Sequence, residues 1–333
     1  MSRAQHSHIE KSDSSSPATQ KAHEWIQVIR ERLESRLKGK QEIIEFSLSA
    51  FLGSGHVLFE GPPGTGKTSL AKALADVFGG SFSRVQMTSD LLPSDIIGVL
   101  RLVPGNAELE FRKGPVFAHF LLADELNRTS SKTQSALLEA MAEGTVSVDG
   151  KSYPLPKPFF VAATQNPSEF QGVYPLAESQ LDRFMLQLTL NPPEKSDELR
   201  IYRAALGNSH SQPVEESKAE PILNLAQTLE LRAAVTLVHV EESALEYASD
   251  LVRATRVCEG VSHGVSVRGG LQFISAARAL AFVRGREYVL PKDFTDLAVP
   301  ALAHRLCFLS GEPDTAHRQQ TIRQVLDRVK APK

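Results

Sequence analysis

The chain of 333 residues is short of cysteine, of net charge and of long apolar runs, and each shortage narrows what it can be. Two cysteines, Cys258 and Cys307, build neither a disulfide framework nor a metal knuckle, and read as small buried or half-buried thiols. A formal net charge of −2, from 37 basic and 39 acidic side chains without a run of one sign, gives no overall footprint for nucleic acid. Local basic patches stay open as an alternative. No apolar stretch reaches the roughly 20 residues of a membrane-crossing helix. The first residues lack the apolar segment of a secretory signal, so the chain reads as cytoplasmic. Residues 1–21, rich in Ser, His and charge, are expected to be a disordered tail, with His6 and His8 solvated rather than holding metal.

What is present is a 41% apolar composition, enough for a buried core and about two domains. Helical periodicity runs over Glu24–Leu37 and Ile43–Leu52. Short apolar runs then alternate with helical stretches: His56–Phe59, Ser83–Met87, His119–Ala123, Phe159–Thr164 and Met185–Leu190. That alternation predicts an α/β fold with a doubly wound, parallel five-stranded sheet. Two interruptions read as inserted hairpins. One spans about Val99 to Phe111 around Pro104-Gly105-Asn106; the other is Thr145–Leu155, turning on Asp149-Gly150, a dipeptide suited to a type I′ turn. After Asn191-Pro192-Pro193 the strand signals stop. Glu194–Ala205, Glu241–Arg256, Arg268–Val283 and Pro291–Leu306 read as helices, and Gly207–Glu220 as a loose linker. The expected division is an α/β core over 22–192 and an all-helical lid over 193–333.

Gly61-Pro62-Pro63-Gly64-Thr65-Gly66-Lys67-Thr68 fits G-x-x-x-x-G-K-[ST], follows a strand and opens a helix through Ser69 and Leu70. Glycines let such a loop curl its N–H groups toward phosphate oxygens at the positive end of the helix. Lys67 then reaches the β- and γ-phosphates of ATP, and the Thr68 hydroxyl ligates Mg²⁺. A strand ending in Asp124-Glu125 supplies two carboxylates with separate tasks. Asp124 holds Mg²⁺ through its water shell, and Glu125 accepts a proton from the attacking water, which favours an ATPase over a small-molecule kinase. Asn166, at the tip of another strand, suits the γ-phosphate or the water, with a plain turn before Pro167 as the alternative. Arg183 precedes the fifth strand, away from its own phosphate loop. It reads as an arginine finger acting on a neighbouring copy, or else as a surface ion pair with Asp182 or Glu178. No Asn-Lys-x-Asp guanine signature occurs.

Together, Gly55-His56-Val57-Leu58-Phe59-Glu60 before the loop, Arg84-Val85-Gln86-Met87-Thr88, Leu92-Pro93-Ser94-Asp95-Ile96-Ile97-Gly98, Asp124-Glu125-Leu126-Asn127-Arg128, Ala163-Thr164-Gln165-Asn166-Pro167 and Leu181-Asp182-Arg183-Phe184 resemble the P-loop AAA+ ATPases of the MoxR family. The resemblance covers about Gly39 to Leu306. It implies Asn166 as sensor 1, Arg183 as the arginine finger and Arg268 as sensor 2, with Gly39-Lys40-Gln41 beside the adenine. It also implies a homo-oligomeric ring, hexameric by analogy, and a chaperone-like action on a client protein with a separate von Willebrand A domain partner. Leu126 stands where Ile is more usual, and Val267 and Gly269 flank Arg268 in place of Pro and Ala. A nucleic-acid motor using Arg101, Arg112 and Lys151, and a nucleotide-gated scaffold, are the competing readings.

Overall fold

A computed structural model describes residues 17–37, 39–102, 109–166, 174–207, 220–309, 311 and 314–332. Two helices lead: α1 (Pro17–Arg36) and α2 (Gln41–Leu52). The sheet region then holds β1 (Val57–Glu60), α3 (Lys67–Val77), β2 (Phe82–Gln86), α4 (Pro93–Ile97), β3 (Gly98–Leu102), β4 (Leu109–Lys113), β5 (Phe120–Asp124), α5 (Ser131–Glu143), β6 (Thr145–Val148), β7 (Lys151–Pro154), β8 (Phe160–Gln165), α6 (Glu178–Leu181) and β9 (Leu186–Thr189). The remainder is α7 (Lys195–Gly207), α8 (Leu225–Val235), α9 (Glu242–Thr255), β10 (Val261–His263), α10 (Val267–Val283), α11 (Pro291–Leu302), β11 (Cys307–Phe308) and α12 (Thr315–Arg328).

The five apolar runs form one sheet, ordered β2-β5-β8-β1-β9, with every neighbouring pair parallel. Strands covered on both faces need no polar side, which is why they read as continuous apolar runs. Alternate side chains divide between two cores. Val57, Phe59, Phe120, Leu122, Phe160 and Ala162 face α1, α2, α3 and the C-terminal helices. Leu58, Leu121, Ala123, Val161 and Ala163 face α5. Phe51 anchors the first core, with ring centroids 4.5 Å from Phe78, 5.1 Å from Phe120 and 5.5 Å from Phe160. Such aromatic pairs add about 0.5–1.5 kcal/mol each beyond burial.

Both hairpins are present. β3 pairs antiparallel with β4, and β6 with β7. Asp149 and Gly150 have φ of 51° and 74°, the positive pair that a type I′ turn demands and that glycine accepts without strain. The tip of the first hairpin, Pro104-Gly105-Asn106, lies outside the described residues.

The tail expectation needs correcting. Residues 17–21 are helix rather than tail, because α1 starts at Pro17 and buries Ala22, Ile26, Ile29 and Leu33 in the first core. Proline suits a helix's first turn, where its missing N–H is not required. Residues 1–16 lie outside the described residues, as do Pro167 and residues 208–219 of the expected linker. The C-terminal region is helical, with β10 and β11 forming a short antiparallel ribbon within it. Helices α8 and α12 were not expected. This region shares the first core with β1 and α2 through Phe273, Leu280, Phe294 and Leu302, so the change near residue 192 is one of chain topology and not a gap in packing. No helix among the described residues is long and apolar enough to cross a membrane.

Candidate active site at the carboxyl edge of the sheet

β1 runs straight into the glycine loop, and α3 leaves it at Lys67. Gly66 has φ of 94°, a left-handed conformation that a side chain would strain, and this turn lets the loop enter the helix. Thr65 donates its hydroxyl to the Pro62 carbonyl at 3.1 Å, bracing the loop from within. The Lys67 ammonium donates to the Gly61 carbonyl at 2.6 Å. Burial lowers the Lys67 pKa, against the opposing pull of Asp124, Glu125 and Glu60.

Strands β5 and β8 lie side by side and deliver the other predicted groups to the same edge. A cavity of about 360 Å³ opens there. Pro63, Gly64, Gly66, Lys67, Thr68 and Ser69 form one wall; Asp124, Glu125 and Asn166 form the facing one, with Arg84 and Gln86 beside them. Gly61, Pro62 and Thr65 shape the loop from behind. The two acids and the loop, over 50 residues apart in sequence, therefore share one space, at the sheet edge where open α/β folds bind ligands.

The acids are held by neighbours that the sequence reading left without roles. Thr164, fully buried on β8, accepts the Glu125 backbone N–H at 2.8 Å and donates its hydroxyl to Asp124 Oδ1 at 2.7 Å. One hydroxyl thus fixes both residues. Arg84 pairs with Asp124 Oδ2 at 2.6 Å, while Gln86 and Arg128 donate to Glu125 Oε2 at 2.6 and 3.0 Å. Glu125 sits at φ 59°, ψ 51°, uncommon for a residue with a side chain and worth ~1 kcal/mol or more of strain. Alternation within the run Ser83–Met87 is the signal that would have placed Arg84 and Gln86 on one side. Glu60, the acid ending β1, was quoted without a role as well. It is buried, with its pKa raised by desolvation, and accepts from Gln187 on β9 and Thr315 on α12, each at 2.9 Å.

Two expected residues stand elsewhere. Arg183 is half-buried and donates to the Leu138 carbonyl of α5 at 3.1 Å, outside the cavity. Its neighbour Asp182 pairs with Arg305 at 2.9 Å. Arg268 is exposed in the first turn of α10, also outside the cavity. Near the loop, Leu37 approaches Gly66, and Lys40 donates to the Asn191 carbonyl at 2.5 Å, which ties the 39–41 segment to the end of the sheet.

Residues 56–186 match the family model of the ATPase family associated with various cellular activities (AAA), and residues 253–327 match the AAA lid domain. The chain is 42% identical over 278 residues to Chaperone MoxR1 of Mycobacterium tuberculosis, covering 80% of this chain and 72% of the relative. It belongs to the MoxR family of AAA+ ATPases. The uncharacterized protein YeaC of Bacillus subtilis is 42% identical over 303 residues, 91% of this chain and 93% of its own. A crystal structure of a candidate ATPase from Cytophaga hutchinsonii superposes with a TM-score of 0.83 at 34% identity, covering 95% of this chain and 97% of that one. The AAA+ sheet and helical C-terminal region of this MoxR-family chain are therefore those that its sequence resemblance implied.

Proposed function

We propose that this MoxR-family protein hydrolyses ATP to ADP and phosphate and uses the turnover to remodel, assemble or activate a client protein. One observation carries the reading: a single cavity joins the glycine loop to Asp124 and Glu125. The loop N–H groups and Lys67 bind the triphosphate. Thr68 and Asp124 open to the same cavity and form an all-oxygen donor pair, which suits Mg²⁺ held partly through water. When bound, that ion neutralises phosphate charge. Glu125 takes a proton from water as the water oxygen attacks the γ-phosphorus, and Asn166 orients that water. Ser69 continues the phosphate-binding turn.

Arg183 faces away from its own cavity, which supports a role on the nucleotide of an adjacent copy in a homo-oligomeric, hexameric ring. Arg268, likewise outside, is assigned to the same inter-subunit nucleotide contact. The client and a separate von Willebrand A domain partner follow from the resemblance to MoxR chaperones, and the proposed setting is the cytoplasm, where ATP is supplied. The nucleic-acid reading loses support on the first hairpin, where Arg101 is paired with Glu110 across the strands at 3.1 Å. Turnover and nucleotide binding, measured side by side, test the proposal. Glu125→Gln should keep ATP affinity and lower turnover by about 10²–10⁴-fold; Lys67→Ala should lose affinity. Unchanged turnover in Glu125→Gln would end the reading.

A further inference from the structure

A second cavity, of about 420 Å³, lies at the opposite end of the sheet. His56 and Phe159 line it just ahead of β1 and β8, so it sits at the amino ends of the strands, whereas the glycine loop, Asp124 and Asn166 occupy the carboxyl ends. Gly144 and Lys157 flank hairpin β6–β7 on either side, and both line the cavity, so the hairpin root forms part of its wall. Met141, Leu155 and Leu229 make the wall largely apolar. No aspartate or glutamate lines it.

Arg232 of α8 lines this cavity and has no anionic partner among the described residues. Its guanidinium carbon lies 4.4 Å from the Phe51 ring centre, a stacking that fixes its plane. Its Nε and Nη2 are buried without an acceptor. Those two nitrogens share one edge of the guanidinium, with parallel N–H bonds, and arginine grips a carboxylate through such an edge. Burial alone pulls the group's pKa down to about 10, with no carboxylate opposing it. His56 does not supply an acceptor. Its Nδ1 accepts the Val161 N–H at 3.0 Å, and the proton that remains on Nε2 faces the Met141 carbonyl at 3.4 Å. A buried cation left unpaired is costly, and a partner from outside the chain relieves it.

We infer that this cavity is a binding site for a carboxylate carried on an apolar body, drawn to the unpaired Arg232 guanidinium in its wall and to Lys157 at the rim. Phosphate suits it less, since a dianion with three acceptor oxygens calls for more donors than one guanidinium edge and one lysine provide. The carboxylate belongs either to a free small acid or to a glutamate of another protein, and two probes separate these sources.

The experiment follows the melting temperature of the full chain at constant ionic strength, against benzoate, against neutral benzyl alcohol, and against the blocked peptide acetyl-Leu-Glu-Leu-amide with its Gln counterpart. Benzoate or the Glu peptide should raise Tm saturably, by about 2 °C at tenfold excess over Kd. Benzyl alcohol and the Gln peptide should do much less. A response to benzoate alone assigns a free acid; a response to the Glu peptide assigns a protein-borne carboxylate. Arg232→Met should abolish the shift while folding, because it removes an unpaired charge and not a bonded one. Ala233→Phe, which fills the cavity and keeps Arg232, should abolish it independently. Equal shifts from acid and alcohol, a shift that survives both variants, or no shift from either acid overturns the proposal.

Discussion

Thr164 is completely buried on β8, the strand between β5 and β1, and its hydroxyl satisfies two polar groups that have little access to water. Thr164→Val keeps the shape and removes that hydroxyl, which strands the Glu125 N–H and one Asp124 oxygen. An unsatisfied buried group costs about 1–3 kcal/mol. Chemical denaturation should show a loss of that order, and ATP turnover should fall about tenfold or more as Glu125 leaves its left-handed conformation. His56 sets an acid limit at the same scale. Fully buried between Val161 and Met141, its imidazole is held neutral by desolvation, with the pKa lowered from 6.5 to about 4. The unfolded chain takes up a proton near pH 6.5 and the native chain only near pH 4. Stability is therefore full above about pH 6.5 and declines as pH falls toward 4, by ~3 kcal/mol in all. Denaturation midpoints between pH 7 and 4.5 should fall at least this steeply, and His56→Gln should remove its share of the slope, leaving that of buried His304, whose pKa desolvation lowers as well. Of these residues, the loop and the acid pair were legible because their chemistry is written in adjacent positions. Thr164 was not, since a threonine within an apolar strand carries no mark until the strand beside it is known.

At the scale of elements, β2 is one of the two edge strands of the sheet and sends Arg84 and Gln86 toward the two acids at the end of β5. The Gln86 amide occupies an oxygen of Glu125 that the attacking water would otherwise use. Gln86→Leu should therefore raise ATP turnover a few-fold at saturating nucleotide with little change in Tm. A decrease would mean that the amide positions Glu125 for reaction instead of restraining it. Strand existence was readable from apolar runs bounded by turn residues, and the second hairpin from Asp149-Gly150. Strand order was not readable, because adjacency in the sheet depends on crossovers that local patterns do not record. Helix α12 escaped notice because it is mostly polar and buries little apolar surface beyond Ile322 and Val325. Helix α8 has an apolar set split between buried Leu231 and Val235 and exposed Leu229, which blurs its helical stripe.

For the molecule as a whole, the proposed arginine-finger role of Arg183 requires a second copy, since Arg183 donates to the Leu138 carbonyl outside its own chain's cavity. Specific turnover should then rise with protein concentration as copies assemble. Arg183→Ala should lower it at least about 100-fold while leaving nucleotide affinity near that of the parent. Turnover per chain that is flat across a wide dilution series, and indifferent to Arg183→Ala, would remove the inter-subunit role. The helical C-terminal region has a direct path to the nucleotide site, because Thr315 of α12 holds Glu60 one residue ahead of the glycine loop.

The sequence by itself determined that a glycine loop of phosphate-binding pattern follows one buried strand, that an acid pair ends another, and that parallel strands alternate with helices. These are properties of contiguous residues, where backbone freedom, charge and apolar period act over a few positions. Tertiary structure decided what lies across from what: Thr164 under both acids, Arg84 and Gln86 upon them, Glu60 joined to α12, and Arg232 stacked on Phe51. Those pairings span 39 to 255 residues of chain, and they arise only when the sheet closes its order and two cores fill against its faces.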